Sequence, residues 1–195
     1  HDAGGYEGLA EVANQYAGVA PNDPRFDAYW AMAEERDIPV GIHIGVGPPG
    51  SSHIYPGYRA SLYSPFQLED ILIRHPRLRV YVMHASWPLR DEIVAMLYSY
   101  PQLHVETGVL QMALARAEYY HFLEGLARAG FHRRIMYGSD QMVWPGMIEA
   151  GVKAIEDAPF LTEEQKRDIL YDNAARFLRL DDETKARHIE MGRRR

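Results

Sequence analysis

The chain has 195 residues, 47% of them hydrophobic and 25% charged, with a formal net charge of -6. That suffices for one domain with a real core, while an acidic balance lacks the positive field that phosphate backbones require and so excludes nucleic acid as a partner. Cysteine is absent, which leaves His, Asp and Glu as metal ligands, and no apolar run approaches the roughly 18 residues of a membrane span.

Residues 1–23 are Gly-rich, carry no clear period and read as loop with one short helix. Asp23-Pro24 opens a helix: Asp is a good N-cap, and the N–H that Pro lacks would be unpaired in a first turn anyway. Phe26, Trp30 and Ala33 supply its apolar stripe. Ile38 to Gly45 is a short buried strand. Residues 46–63 form a loop rich in Gly, Pro and Tyr. Ser64-Pro65-Phe66-Gln67 has the form of a capping box and starts a helix that stops near Pro76. Arg79 to His84 is the next strand, and Pro88 opens a helix ending near Pro101. Leu103 to Gly108 is a third strand, followed by a long helix to about Gly130. Arg134 to Tyr137 is a fourth, running into Gly138-Ser139-Asp140. A short helix follows Pro145. Thr162-Glu163-Glu164-Gln165 is a second capping box, whose helix runs to about Leu180. The whole, 1–195, is a single domain with a polar tail over 181–195.

Four strand–helix units imply a parallel sheet covered by helices. Along each strand one face is apolar (Val40, Ile42, Ile44; Leu103, Val105) and the other carries small residues with His, Glu and Asp (Gly41, His43, Gly45; His104, Glu106, Gly108). A doubly wound sheet needs two apolar faces, so the pattern suits a barrel. His43, His84 and Asp140 close three strands and Glu106 lies near the end of the other. The C-terminal rim of parallel barrels carries the active site, and imidazoles with carboxylates suit a divalent metal. Each residue has a plainer reading: His43 as a hydrogen-bonded core residue, His84 as a turn, Asp140 as a cap, Glu106 as a partner to an Arg. Agreement among three strand ends outweighs these. His53, Tyr55, Tyr58, Arg59 and Trp144 line the mouth as candidate substrate contacts, Arg59 because its fork matches a carboxylate. His75, His121, His132 and His188 read as helix-end or surface residues. Gly45-Val46-Gly47-Pro48-Pro49-Gly50 has the letters of a dinucleotide site, but no helix is expected to open there.

In combination these segments resemble a known family. Asp37-Ile38-Pro39-Val40-Gly41-Ile42-His43-Ile44-Gly45 is similar to the fifth strand of the amidohydrolase superfamily, in the branch with the aminocarboxymuconate-semialdehyde decarboxylase-like enzymes. Val82-Met83-His84-Ala85-Ser86-Trp87-Pro88 resembles its sixth strand, Met136-Tyr137-Gly138-Ser139-Asp140 its eighth, and the run Ile169 to Leu178, with Asn173-Ala174, its closing helix. The resemblance implies a partial (β/α)8 TIM barrel of about the last four units. It makes His43 a metal ligand, Asp140 a ligand or the carboxylate that takes a proton from metal-activated water, and His84 the group that polarises or protonates substrate. Glu106 supports them from behind. Zinc is the expected metal. The implied activity is hydrolysis of a C–O or C–N bond in a small, carboxylated molecule; the alternatives are nonoxidative decarboxylation, or a catalytically incomplete fragment that only binds or assembles. The family's His-x-His after its first strand has no counterpart here, so the first strands are expected to be missing. A half-barrel then has two open edges that favour self-association. A cytoplasmic location is expected.

Overall fold

In a computed structural model, which describes residues 8–193, five short strands form one parallel sheet: β1 (Leu9–Val12), β2 (Val40–His43), β3 (Val80–Met83), β4 (Leu103–Glu106) and β5 (Ile135–Met136), side by side in chain order. The last four are the expected ones. β1 corrects the loop expected there, the first seven of whose residues lie outside the described ones. Four residues beside glycines carry no readable period. What makes them a strand is the edge of β2, where the Leu9 N–H donates to the Pro39 carbonyl at 2.9 Å.

Of the three side-chain caps expected from the sequence, at Asp23, Ser64 and Thr162, two form. Asp23 accepts the Arg25 N–H and starts a short 3-10 turn leading into α1 (Asp27–Glu35). One helical turn, α2 (Ser51–Ile54), follows Gly50 where none was expected. The Ser64 capping box does not form: the Gln67 N–H donates to the Ser64 carbonyl at 3.1 Å, the i to i+3 bond of a 3-10 turn, so no orphan donor remains for the hydroxyl. That turn leads into α3 (Glu69–Arg74). Beyond β3 come α4 (Arg90–Ser99), α5 (Leu110–Ala113), α6 (Arg116–Leu126) and α7 (Gly146–Glu156). The second box does form, Thr162 Oγ1 accepting from the Gln165 N–H and Gln165 Oε1 from the Thr162 N–H. It starts α8 (Glu163–Arg167), which continues through a wide turn into α9 (Asn173–Phe177). The polar tail is a helix, α10 (Asp182–Arg193), with no buried residue.

The sheet has two unlike faces. Val40, Ile42, Val80, Val82, Leu103, Val105 and Ile135 are wholly buried under the helices, in one core with Trp30, Leu72, Leu97, Leu123 and Ile155. The other face is only partly covered. There Gly41 lets the Tyr81 ring lie flat across β2, since a Cβ would overlap that ring. Phe177 packs on Tyr81 and His104, with ring centroids 5.6 and 4.8 Å away, and the Arg79 guanidinium holds its carbonyl at 2.6 Å.

Sequence reasoning expected two open edges, and one of them is closed. On the outer side of β5 the Ile135 carbonyl accepts from Asn173 Nδ2 at 2.6 Å, and the Tyr137 N–H donates to the Ile169 carbonyl at 2.8 Å. Asn173 also donates to the His132 carbonyl at 2.7 Å. The asparagine of the closing helix is thus a side-chain substitute for a neighbouring strand. Among the described residues no strand pairs with the outer side of β1.

Burial pushes the His104 imidazole down to about 4, helped by Arg134 and Arg176 and opposed by the Gln102 carbonyl. Below pH about 6.5 the unfolded chain takes up a proton here that the folded chain refuses until about pH 4. Stability therefore falls as pH drops through that window, by at most about 3 kcal/mol. His104→Leu is expected to flatten the decline of the urea midpoint between these pH values; an unchanged slope would show that His104 does not carry it.

Candidate metal centre

Three side chains from three strands meet at the C-terminal rim of the sheet. Glu11 comes from β1, His43 is the last residue of β2, and His84 follows β3; one ligand atom of each lies within 4.8 Å of the others. Glu11 Oε1 is 3.4 Å from His84 Nε2 and 3.8 Å from His43 Nε2. Ligands about 2.0–2.1 Å from a tetrahedral ion stand roughly 3.3 Å apart, so the spacing fits a divalent cation with little adjustment. The two imidazoles meet edge to face at 4.6 Å.

The ring nitrogens are sorted by their partners. His43 Nδ1 is 2.8 Å from Gln15 Oε1, and the amide nitrogen of Gln15 faces the Arg59 carbonyl at 3.4 Å, which orients the amide. His84 Nδ1 is 2.9 Å from the Gly108 carbonyl. Each Nδ1 therefore carries hydrogen, and each Nε2 is turned toward Glu11. Tying one imidazole nitrogen to an acceptor is how proteins aim the other at a metal. His84 also sits in a turn where His84, Ala85 and Ser86 all take positive φ, 61°, 46° and 60°. Such backbone costs on the order of 1 kcal/mol or more per residue. The Gly108 bond and the Ser86 hydroxyl, donating to the Tyr63 carbonyl at 3.0 Å, hold it.

Electrostatics divide the two histidines. Burial pushes His43 down to about 4; His84 adds to this and Glu11 opposes it. For His84 burial also pushes down, but the Glu11 hydrogen bond, the Gly108 carbonyl and Glu106 outweigh it and leave the pKa raised. Glu11 is lowered, chiefly by its hydrogen bond to His84, against its own partial burial. The environment thus pushes His43 toward its neutral form, His84 toward its charged form and Glu11 toward its carboxylate.

Asp140 stands outside this trio, half-buried at a positive φ of 49°. Burial raises its pKa, the His84 charge opposes and Glu11 adds. It shares with Glu106, Tyr81, Met83 and Phe177 a cavity of about 270 Å³ on the partly covered face. Glu106 is buried; burial pushes it up to about 7 against His84 and the Gly108 N–H, which donates to it. A Cβ at Gly138 would overlap that carboxylate, so the segment just after β5 must present glycine there. Of the expected substrate contacts, Arg59 turns its guanidinium onto the Pro56 and Tyr58 carbonyls at 3.1 and 2.8 Å and serves the centre by its own carbonyl, through Gln15. His53 is exposed on α2, and Trp144 is 67% exposed just before α7.

Sequence reasoning missed Glu11, Gln15 and Tyr16. The Tyr16 hydroxyl is 3.3 Å from His43 Nε2; its ring packs on His43, Tyr55 and Tyr58 at 5.0, 4.9 and 5.6 Å. Burial, then Glu11, pushes its pKa up to about 12. The available signal was Leu9-Ala10-Glu11-Val12, a carboxylate within a short apolar run at strand distance before β2.

No curated protein matches the chain. Solved structures that it resembles include an uncharacterised TIM-barrel protein from Bordetella bronchiseptica, 21% identical with a TM-score of 0.67, covering 84% of this chain and 55% of that one. A protein from Lactobacillus casei described as a metal-dependent hydrolase is 17% identical with a TM-score of 0.68, covering 91% and 56%. 5-Carboxyvanillate decarboxylase from Sphingomonas paucimobilis is 16% identical with a TM-score of 0.54, covering 84% and 56%. These likenesses establish a partial TIM-barrel fold, and the chain spans a little over half the length of each structure. The amidohydrolase family profile matches residues 3–180. Since that profile extends over all five strands and the helix that carries Asn173, the chain belongs to the amidohydrolase family.

Proposed function

We propose that this chain furnishes the metal-binding wall of a hydrolase that uses activated water on a C–O or C–N bond of a small, carboxylated substrate. One observation carries the reading: Glu11, His43 and His84 converge within 4.8 Å, with the Nδ1 of each imidazole committed to a fixed acceptor. A divalent metal, zinc in this reading, supplies Lewis acidity there, polarising an oxygen and lowering the pKa of water.

The chain's own groups divide the remaining work. Glu11 and the two Nε2 atoms hold the cation, three protein ligands being the usual number for catalytic zinc. Asp140, more basic than an ordinary aspartate because of burial, accepts a proton from the attacking water, or stands as a further ligand. His84 holds the cation through Nε2 while its Nδ1 stays on the Gly108 carbonyl; the polarising role expected of it would need Nε2 free of the metal. Glu106 steadies Gly108, whose carbonyl holds His84. Arg59, His53 and Trp144 are assigned to substrate by position alone, since all three follow the C-terminal ends of strands. The second reading, nonoxidative decarboxylation, is favoured by the likeness to 5-carboxyvanillate decarboxylase. With β5 sealed and, among the described residues, no strand on the outer side of β1, association in this reading takes the form of a two-fold dimer through β1, because one free edge allows closure and no filament.

Glu11→Gln keeps the shape of the side chain and removes the charge. It is expected to weaken zinc binding at least about 10-fold by isothermal titration calorimetry, and wild-type affinity would remove Glu11 from the site. In zinc-loaded protein given lactones, esters and amides, acid release is expected, falling about 100-fold or more in Asp140→Asn. Release of carbon dioxide from aromatic carboxylic acids, without acid release from the first panel, would select the decarboxylase. Sedimentation velocity is expected to show a dimer at micromolar concentration, weakened by proline at Ala10, whose backbone faces away from β2; a monomer at every concentration would count against it.

A further inference from the structure

The lone pair on His43 Nε2 has two claimants. One is the cation assigned above; the other is already present. With Nδ1 hydrogen-bonded to Gln15 Oε1 at 2.8 Å, His43 Nε2 is an acceptor, and the group 3.3 Å from it is the Tyr16 hydroxyl. A phenol is neutral across the physiological range and has one hydrogen to give. A nitrogen lone pair cannot serve an O–H and a metal together. The Tyr16 ring does not depend on that bond for its place: it is packed against His43, Tyr55 and Tyr58, and Tyr58 is itself pinned through its hydroxyl to the Gly47 N–H at 2.9 Å.

The rest of the centre gives the displaced hydroxyl a new use. Glu11 and Asp140 offer carboxylate oxygens, and the two imidazoles offer Nε2 lone pairs that the cation takes up. These are all acceptors. An oxygen entering beside the cation, whether water or a carbonyl or carboxylate oxygen of substrate, finds a hydrogen-bond donor in the Tyr16 hydroxyl next to His43.

We propose that metal binding displaces the Tyr16 hydroxyl from His43 and frees it to donate a hydrogen bond to an oxygen ligand of the centre. Tyr16 thus holds the metal-free site in register and becomes the donor of the loaded one. The inference rests on the metal-centre reading, and its test separates the two.

The probe is zinc alone, titrated calorimetrically into wild type, Tyr16→Phe and Tyr55→Phe. Losing a competing hydrogen bond worth about 0.5–1.5 kcal/mol is expected to tighten zinc binding in Tyr16→Phe roughly 2- to 12-fold. Tyr55→Phe, which keeps its ring on Tyr16, is expected to bind as wild type does. Acetate titrated into the zinc-loaded proteins is expected to bind several-fold more weakly to Tyr16→Phe. In wild type the tyrosine ultraviolet difference spectrum on adding zinc should report one phenol changing partner, and it should vanish in Tyr16→Phe. Unchanged or weaker zinc binding in Tyr16→Phe, with wild type binding normally, overturns the proposal and spares the metal centre. No zinc binding by wild type overturns both. Should Tyr16→Phe fail to fold, the wild-type spectrum decides: a difference supports displacement, and its absence refutes it.

Discussion

Each imidazole at the rim has one nitrogen spent on a fixed acceptor, and the chemistry of the centre depends on that constraint. A histidine with both nitrogens free could face water or rotate. Here the Gly108 carbonyl takes the hydrogen of His84 and the Gln15 side chain takes that of His43. The acceptors lie far from the imidazoles in sequence, so the aim of the ligands is set by tertiary structure. Gly108 follows β4 and Gln15 follows β1; both are carried to the rim by strands whose register against their neighbours is fixed by the buried apolar face. Packing on one side of the sheet thereby sets hydrogen bonding on the other.

That division also explains what could be read in advance. His43, His84 and Asp140 stood out because each ends or follows a short apolar strand, and the two-residue period puts polar groups on the face away from the helices. Glu11 had no such frame. β1 owes its conformation to β2, a dependence that no local pattern records. Its partner groups, Gln15 and Tyr16, lie in a short 3-10 turn with no amphipathic stripe. The sequence reading named Asp140, as ligand or proton-accepting carboxylate, beside the two histidines; Glu11, which it did not name, is the carboxylate that lies within 4.8 Å of both. The two capping boxes carry the same lesson at smaller scale. The Thr162 box forms because an α-helix leaves its early N–H groups unpaired; the Ser64 box does not, because a 3-10 turn has already used the one in question.

The family's closing asparagine acquires a physical role in the same way. As sequence it is a signature; in the fold it supplies two N–H bonds to the carbonyls of His132 and Ile135. A buried carbonyl without a partner costs about 1–3 kcal/mol, and an exposed strand edge invites pairing with another chain. Asn173 answers both at the β5 edge. A half-barrel was expected to be symmetric in its liabilities, whereas among the described residues the β5 edge is covered and the outer side of β1 carries no strand.

The centre is expensive to build, which bears on why its parts interlock. Three consecutive residues at positive φ, a buried neutral histidine and a buried carboxyl with a pKa of about 7 each oppose folding. They persist because every one is held by another: Glu106 fixes Gly108, Gly108 fixes His84, His84 pairs with Glu11, and His43 is kept between Gln15 and Tyr16. Glu11 favours the charged form of His84, whose pKa it raises, and His84 in turn lowers that of Glu11. In the loaded state proposed above a divalent cation would take the place of the His84 proton, and Glu11 would offset part of its larger charge. A site stabilised in both states by the same carboxylate can fold before it is loaded, and the strained turn is in place when the ion arrives.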